Sequence, residues 1–283
     1  MGAPSPADVL AEAQRSLDSC GRVALCQITA TRASTPGKPG WKLLVRPDGE
    51  TFGNLGGGSF EAMVVADARE LLGRVRPEVE TKRYYLTERA ERGEATGMVC
   101  GGLADVTLEV LEAPPLLLVC GGGTVGQALC AAAELAGLAT AVTDDRSEYL
   151  SEELFPTSTA RVPAGPLFRD LDLGRWGERR LLVAVVSRCW ETDLEALAAV
   201  ASRRPGGLEY VGLMGSARKI ERVRAELAER GLDLAALPLH APIGLDLGAE
   251  TPGELAIAIL AEMMPVWRRL ATDVERRAGS VAR

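Results

Sequence analysis

The sequence predicts an α/β protein in two parts: a small α+β amino-terminal domain, then a doubly wound parallel-sheet domain. Three observations carry this. The 283 residues are 47% apolar and 25% charged, the make-up of a folded chain with room for about two cores. Glu112-Ala113-Pro114-Pro115 reads as a linker. Beyond it, apolar strands begin to alternate with helices, the rhythm of a parallel sheet.

The elements follow in order. Residues 7–19 form an amphipathic pattern with Gly21 as a stop. Residues 22–31 suit a strand, 33–40 are turn-rich, and 42–45 form a short strand closed by Arg46-Pro47-Asp48-Gly49. A helix runs from the glycines near 56 through Leu72, and 78–86 and 103–111 are strands. In the last, Ala104, Val106, Leu108 and Val110 share one face. Past the linker, strands are expected at 116–120, 140–143, 181–187 and 210–214. Helices are expected at 124–136, 193–203 and 217–230. Thr251-Pro252-Gly253-Glu254 has capping-box spacing with proline first, and opens a helix through about Trp267. The domains are then 1–112 and 116–270, joined by 113–115 and followed by a frayed tail, 271–283. From Leu116 to Val142 Glu134 is the single charge, yet Gly121, Gly122 and Gly123 interrupt the run, so a strand, turn and buried helix fit better than a membrane span.

Composition narrows the function. Acids outnumber bases 39 to 32, for a net charge of −7, and aromatics are 4%. Both argue against nucleic-acid or anionic-membrane binding. His240 is the one histidine, so a multi-histidine metal site is excluded. The six cysteines include no C-x-x-C pair, and the Met1 start carries no signal-peptide pattern. The expectation is a cytoplasmic protein with reduced thiols.

Four places offer chemistry. Gly121-x-Gly123-x-x-Gly126 follows an apolar strand and opens a helix, a Rossmann-like turn that offers free amides to a phosphate. Asp144 lies 18 residues beyond Gly126, near the spacing of a carboxylate that holds a ribose hydroxyl. A tight turn without ligand is the plain alternative. Gly56-Gly57-Gly58 also precedes a helix, and its amides suit an anion. Glu61 in that first turn is a base, a hydrogen-bond acceptor or a partner of the helix dipole. Cys100-Gly101-Gly102 sets a thiol beside two glycines, with room for a bulky ligand. Cys26, Cys120 and Cys130 read as core. His240 reads as structural, and Arg218 and Lys219 face an anion at a strand end or simply start a solvated helix.

Taken in order, these pieces resemble the XdhC/CoxI family of molybdenum-cofactor accessory proteins, from about residue 10 to 267. The resemblance rests on Ser34-Thr35-Pro36, Leu43-Leu44-Val45 and Asp48-Gly49, on Gly56-Gly57-Gly58-x-x-Glu61, and on Cys100-Gly101-Gly102. It continues through the Gly121 motif with Asp144-Asp145-Arg146, then Tyr210 to Ser216 with Lys219, and Pro242 to Asp246. It implies a chaperone more than an enzyme. Such a protein binds molybdopterin or its dinucleotide form and presents it for sulfuration by a cysteine desulfurase. It then helps insert the cofactor into a xanthine-dehydrogenase- or CO-dehydrogenase-like molybdenum hydroxylase apoenzyme. The cofactor-binding candidates are Gly56, Gly57, Gly58, Cys100, Gly101, Gly121, Gly123, Gly126 and Asp144. Cys100 is the candidate molybdenum contact, Cys100 and Glu61 are the candidate catalytic groups, and a homodimer is left open. Gly37 and Thr124 depart from the family, which often has arginine and histidine there. The rivals are an NAD(P)-dependent oxidoreductase, favoured by the Gly121 motif and Asp144 but lacking a histidine in its amino-terminal half, and a ligand-free scaffold.

Overall fold

A computed structural model describes residues 4–86, 94–95, 101–155, 160–203, 206–232 and 234–269. Cys100 and the expected frayed tail, 271–283, lie outside the described residues. The chain divides into two compact units, Met1–Ala113 and Pro114–Arg283.

In the first unit, α1 (Pro6–Cys20) opens on a Ser5/Asp8 capping box and ends at Gly21, whose φ of 72° is the left-handed stop. Then come β1 (Arg22–Arg32), β2 (Lys42–Val45), β3 (Thr51–Gly53), α2 (Gly58–Leu72), β4 (Val79–Leu86), β5 (Glu94–Ala95) and β6 (Gly102–Glu112). They form one sheet in the order β3-β2-β1-β6-β4-β5, antiparallel except where β5 joins β4. Strand alternation serves both faces. Val23 and Leu44 meet Val9 and Ala13 of α1. Cys26, Ile28, Ala104, Val106 and Leu108 meet Phe60, Val64 and Ala68 of α2.

The second unit runs β7 (Leu116–Cys120), α3 (Thr124–Leu135), β8 (Ala139–Asp144), β9 (Ala160–Pro163), β10 (Leu181–Val185), α4 (Trp190–Arg203), β11 (Leu208–Leu213), α5 (Ala217–Glu229), β12 (Leu239–His240) and α6 (Pro252–Trp267). Every strand pair is parallel, in the order β12-β11-β10-β7-β8-β9. This is the Rossmann order. β7 and β10 lie at its centre and are wholly buried, which explains their unbroken apolar sequences. Leu118 and Val183 pack toward Leu197 and Val223 on one face; Val119 and Leu182 pack toward Leu129 and Ile259 on the other.

The sequence reading misses β3, β5, β9 and β12, which are two to four residues long and lie at or next to sheet edges, with too little pattern to register. It also starts α4 three residues late and extends β10 two residues too far. The apolar run 116–142 is strand, turn, helix and strand. Among the described residues no helix is long and apolar enough to cross a membrane.

Candidate phosphate-binding site

In the second unit the chain winds outward from β7 through β8 to β9, then returns to start β10 beside β7. The carboxyl ends of β7 and β10 therefore flank the crevice where such sheets hold ligands. Gly121, Gly122 and Gly123 span the turn from β7 into α3.

The glycines have different jobs. Gly121 has φ of +125°, and a Cβ there would come within 2.8 Å of Val186 O, just past β10. Its N–H donates to Thr143 O of β8 at 2.8 Å. A Cβ on Gly126 would fall on Gly121 O, so that glycine lets α3 sit close to the turn. At Gly122 a Cβ would run into Tyr149 O. Gly123 is different. It caps α3 with φ of −69°, and a Cβ there would meet nothing within 4 Å. No side chain caps α3, and its first turn carries no acid. The helix thus offers amides and the positive end of its dipole.

Asp144 is buried at 3% exposure. Its Oδ2 accepts from Gly122 N at 2.8 Å and from Arg146 Nη2 at 3.2 Å; its Oδ1 accepts from Arg146 N and Nε, both at 3.0 Å. The carboxylate expected on a ribose is thus tied to the glycine turn and to Arg146. The Arg146 guanidinium lies 3.7 Å from the centre of the Tyr149 ring. Asp145 pairs with Arg188 across from it, with Nη2 to Oδ2 at 3.0 Å. Arg188 foremost holds the Asp145 carboxyl below its usual range.

Under the turn lies a second cluster. Ser187, just past β10, donates to Asp193 Oδ1 at 2.6 Å, and Lys219 Nζ forms an ion pair with Asp193 Oδ2. Asp193 has no exposure, and burial raises its carboxyl above the usual range although Lys219 and Ser187 pull it down. Lys219 is thus committed to Asp193, while Arg218 is exposed. His240 stacks on Tyr210 with centroids 4.4 Å apart, and its Nδ1 lies 3.1 Å from Glu262, which also accepts from Tyr210 and Gly244. Burial raises the Cys130 thiol to about 12 and the Cys120 thiol higher still, so both are inert.

In the first unit three of the motif segments meet. A Cβ on Gly56 would come within 2.9 Å of Pro36, and one on Gly102 would fall on Ser34 O. A Cβ on Gly37 would fall on Leu55 O, so an arginine at 37 requires a different loop path. Gly57 and Gly101 have positive φ, +72° and +71°, and open space around them. Glu61 turns its Oε2 back to accept from Leu55 N at 2.8 Å and Gly57 N at 3.3 Å. The acceptor role is therefore present, and Glu61 also stands in the first turn of α2, where an acid offsets the helix dipole. Burial lifts the Cys26 thiol of this unit to about 12. Among the described residues no group of three or more His, Cys, Asp or Glu side chains forms a metal site.

Sequence reasoning named Arg146 without a role and missed Tyr149, Ser187, Arg188 and Asp193. The signal for Ser187 and Arg188 was their place directly after a fully apolar strand, at the rim where ligands bind.

A family model described as the XdhC Rossmann domain matches residues 117–263, just over half of the chain. The chain belongs to the XdhC family. A model described as the XdhC and CoxI family matches residues 16–84. Uncharacterized protein YqeB of Escherichia coli strain K12 is 34% identical over 248 residues, 86% of this chain and 43% of that protein. A protein of Bacillus subtilis strain 168, named as a probable xanthine dehydrogenase subunit, is 28% identical over 166 residues, 58% of this chain and 46% of that one. This XdhC-family chain thus spans less than half the length of these two relatives. A crystal structure described as a xanthine dehydrogenase from Bacillus halodurans aligns over 95% of this chain and 97% of its own, at 20% identity and a TM-score of 0.48.

Proposed function

We propose that this protein is an accessory factor that holds molybdopterin-type cofactor for sulfuration and for insertion into a xanthine-dehydrogenase-like molybdenum hydroxylase. Family membership supports the accessory role, since one relative is named as a probable xanthine dehydrogenase subunit. The observation that carries the binding claim is the open Gly123 position at the uncapped start of α3.

The cargo ends in a phosphate, and that end fits the site. Gly123 leaves the backbone accessible, and the first α3 amides hold the anion without a cationic side chain. Ser187, Asp193 and Lys219 brace the end of β10, against which Gly121 packs. Separately from that phosphate site, Cys100 of the first unit is the candidate for contact with molybdenum, because a thiolate is a soft donor and Gly101 and Gly102 add no side chains beside it. A cysteine desulfurase is the proposed sulfur source. When bound, the cofactor carries an oxo-molybdenum dithiolene that the recipient enzyme uses; this chain's part is to hold and present it.

The test is to purify the protein from cells that make the cofactor, then measure molybdenum and the fluorescence of oxidised pterin. Pterin and metal that co-elute with the wild type but fall by an order of magnitude in Gly123→Val are expected. Steady NAD(P)H turnover with a small carbonyl by metal-free protein would overturn the reading in favour of an oxidoreductase.

A further inference from the structure

We infer that the subsite at the end of β8 recognises a phosphate monoester on a nucleotide rather than the free diol of a ribose. This goes beyond the proposed cargo and rests only on the reading that the Gly121 turn binds phosphate.

In a sheet of this order the end of β8 is where a dinucleotide's ribose comes to rest. A ribose diol is held there by a carboxylate with lone pairs to spare. Asp144 has none to offer in this arrangement, because its two oxygens already accept four hydrogen bonds from Gly122 and Arg146. What the subsite presents in place of an acceptor is donors. Arg146 uses Nε and Nη2 on Asp144, and its Nη1 has no acceptor among the described residues. Its guanidinium lies over the Tyr149 ring and is paired with Asp144, so little side-chain entropy is lost when an anion docks on the free edge. Arg188 spends Nη1 and Nη2 on Asp145, and its Nε has no acceptor among the described residues. Asp145 sits between the two arginines, with Arg146 Nε 3.8 Å away. The cluster thus pairs two aspartates with two arginines. It holds unused N–H groups fixed by bidentate pairing; a phosphate dianion accepts from them through charge-assisted bonds, which a diol's neutral hydroxyls match only weakly.

The experiment is calorimetric titration of the full chain with adenosine 2′,5′-bisphosphate and with adenosine 5′-diphosphate, which carry the same number of phosphates. The bisphosphate is expected to bind at least tenfold tighter. Arg146→Ala should cut that ratio to within twofold. Tyr149→Leu, which leaves Asp144 and Arg146 in place, should cut it severalfold and serves if Arg146→Ala fails to fold. Equal affinities, or tighter binding of the 5′-diphosphate, lost in either case in Gly123→Val, would overturn this inference and leave the phosphate-binding turn standing. No binding of either nucleotide would remove the turn's role, and this inference with it.

Discussion

The two glycine turns look alike in sequence and differ in what satisfies them. Residues 55–61 and 121–126 both lead a glycine run into a helix. The first carries its own anion, since the Glu61 carboxylate lies on the N–H groups of Leu55 and Gly57. The second has no acid in its first helical turn, and Asp144 takes the Gly122 amide alone, leaving the start of α3 open. A glycine run thus signals a backbone concavity, and the side chains around it decide whether the concavity is filled from within or by a ligand.

The sharpest break within the second turn compares Gly126 with Gly123. Gly126→Ala drives a Cβ onto Gly121 O and should cost about 3 kcal/mol or more in denaturant unfolding. Gly123→Ala has free space and an ordinary φ, and should change stability by less than about 0.5 kcal/mol while weakening phosphate binding. Equal stability losses at the two positions would mean that Gly123 is structural.

Glu61→Ala tests the first turn. Two amides lose a charged acceptor, which should cost about 1–2 kcal/mol. Added phosphate should then recover part of the loss, as a rise in Tm absent from the wild-type unit. A variant whose Tm ignores phosphate would show that the concavity does not accept an external anion.

The smallest effect concerns acid. Asp145 is held below its usual range chiefly by Arg188. A depressed carboxyl contributes stability above its unfolded pKa near 4, and that contribution fades as pH falls toward the lower folded value. Arg188→Ala should therefore flatten the stability of the second unit below about pH 4. An unchanged acid limb in the variant would place that sensitivity on other carboxylates.

Much of this comparison was readable beforehand. The Gly21 stop of α1, the capping box at Thr251, the alternation of β6 and the strand–glycine–helix run at 116–135 are local patterns, and each appears where the spacing places it. The jobs of the individual glycines were not readable, because they depend on distant chain: Gly121 packs on Val186, Gly122 on Tyr149, Gly37 on Leu55. Asp144 was visible by spacing, but its bonds to Gly122 and Arg146 were not, since a sequence does not show which donors reach a carboxylate first. Asp193 looked like one more acid at a helix start until the fold buried it against Ser187 and Lys219.

The central claim is that no carboxylate occupies the amides at the start of α3, whereas Glu61 occupies those of Leu55 and Gly57 in the first turn. Hydrogen exchange of backbone amides, with and without saturating pyrophosphate, reads both turns in one sample. The account predicts slowed exchange at Thr124, Val125 and Gly126 and no change at Leu55 and Gly57. Protection at Leu55 and Gly57 with none at Thr124–Gly126 would contradict it.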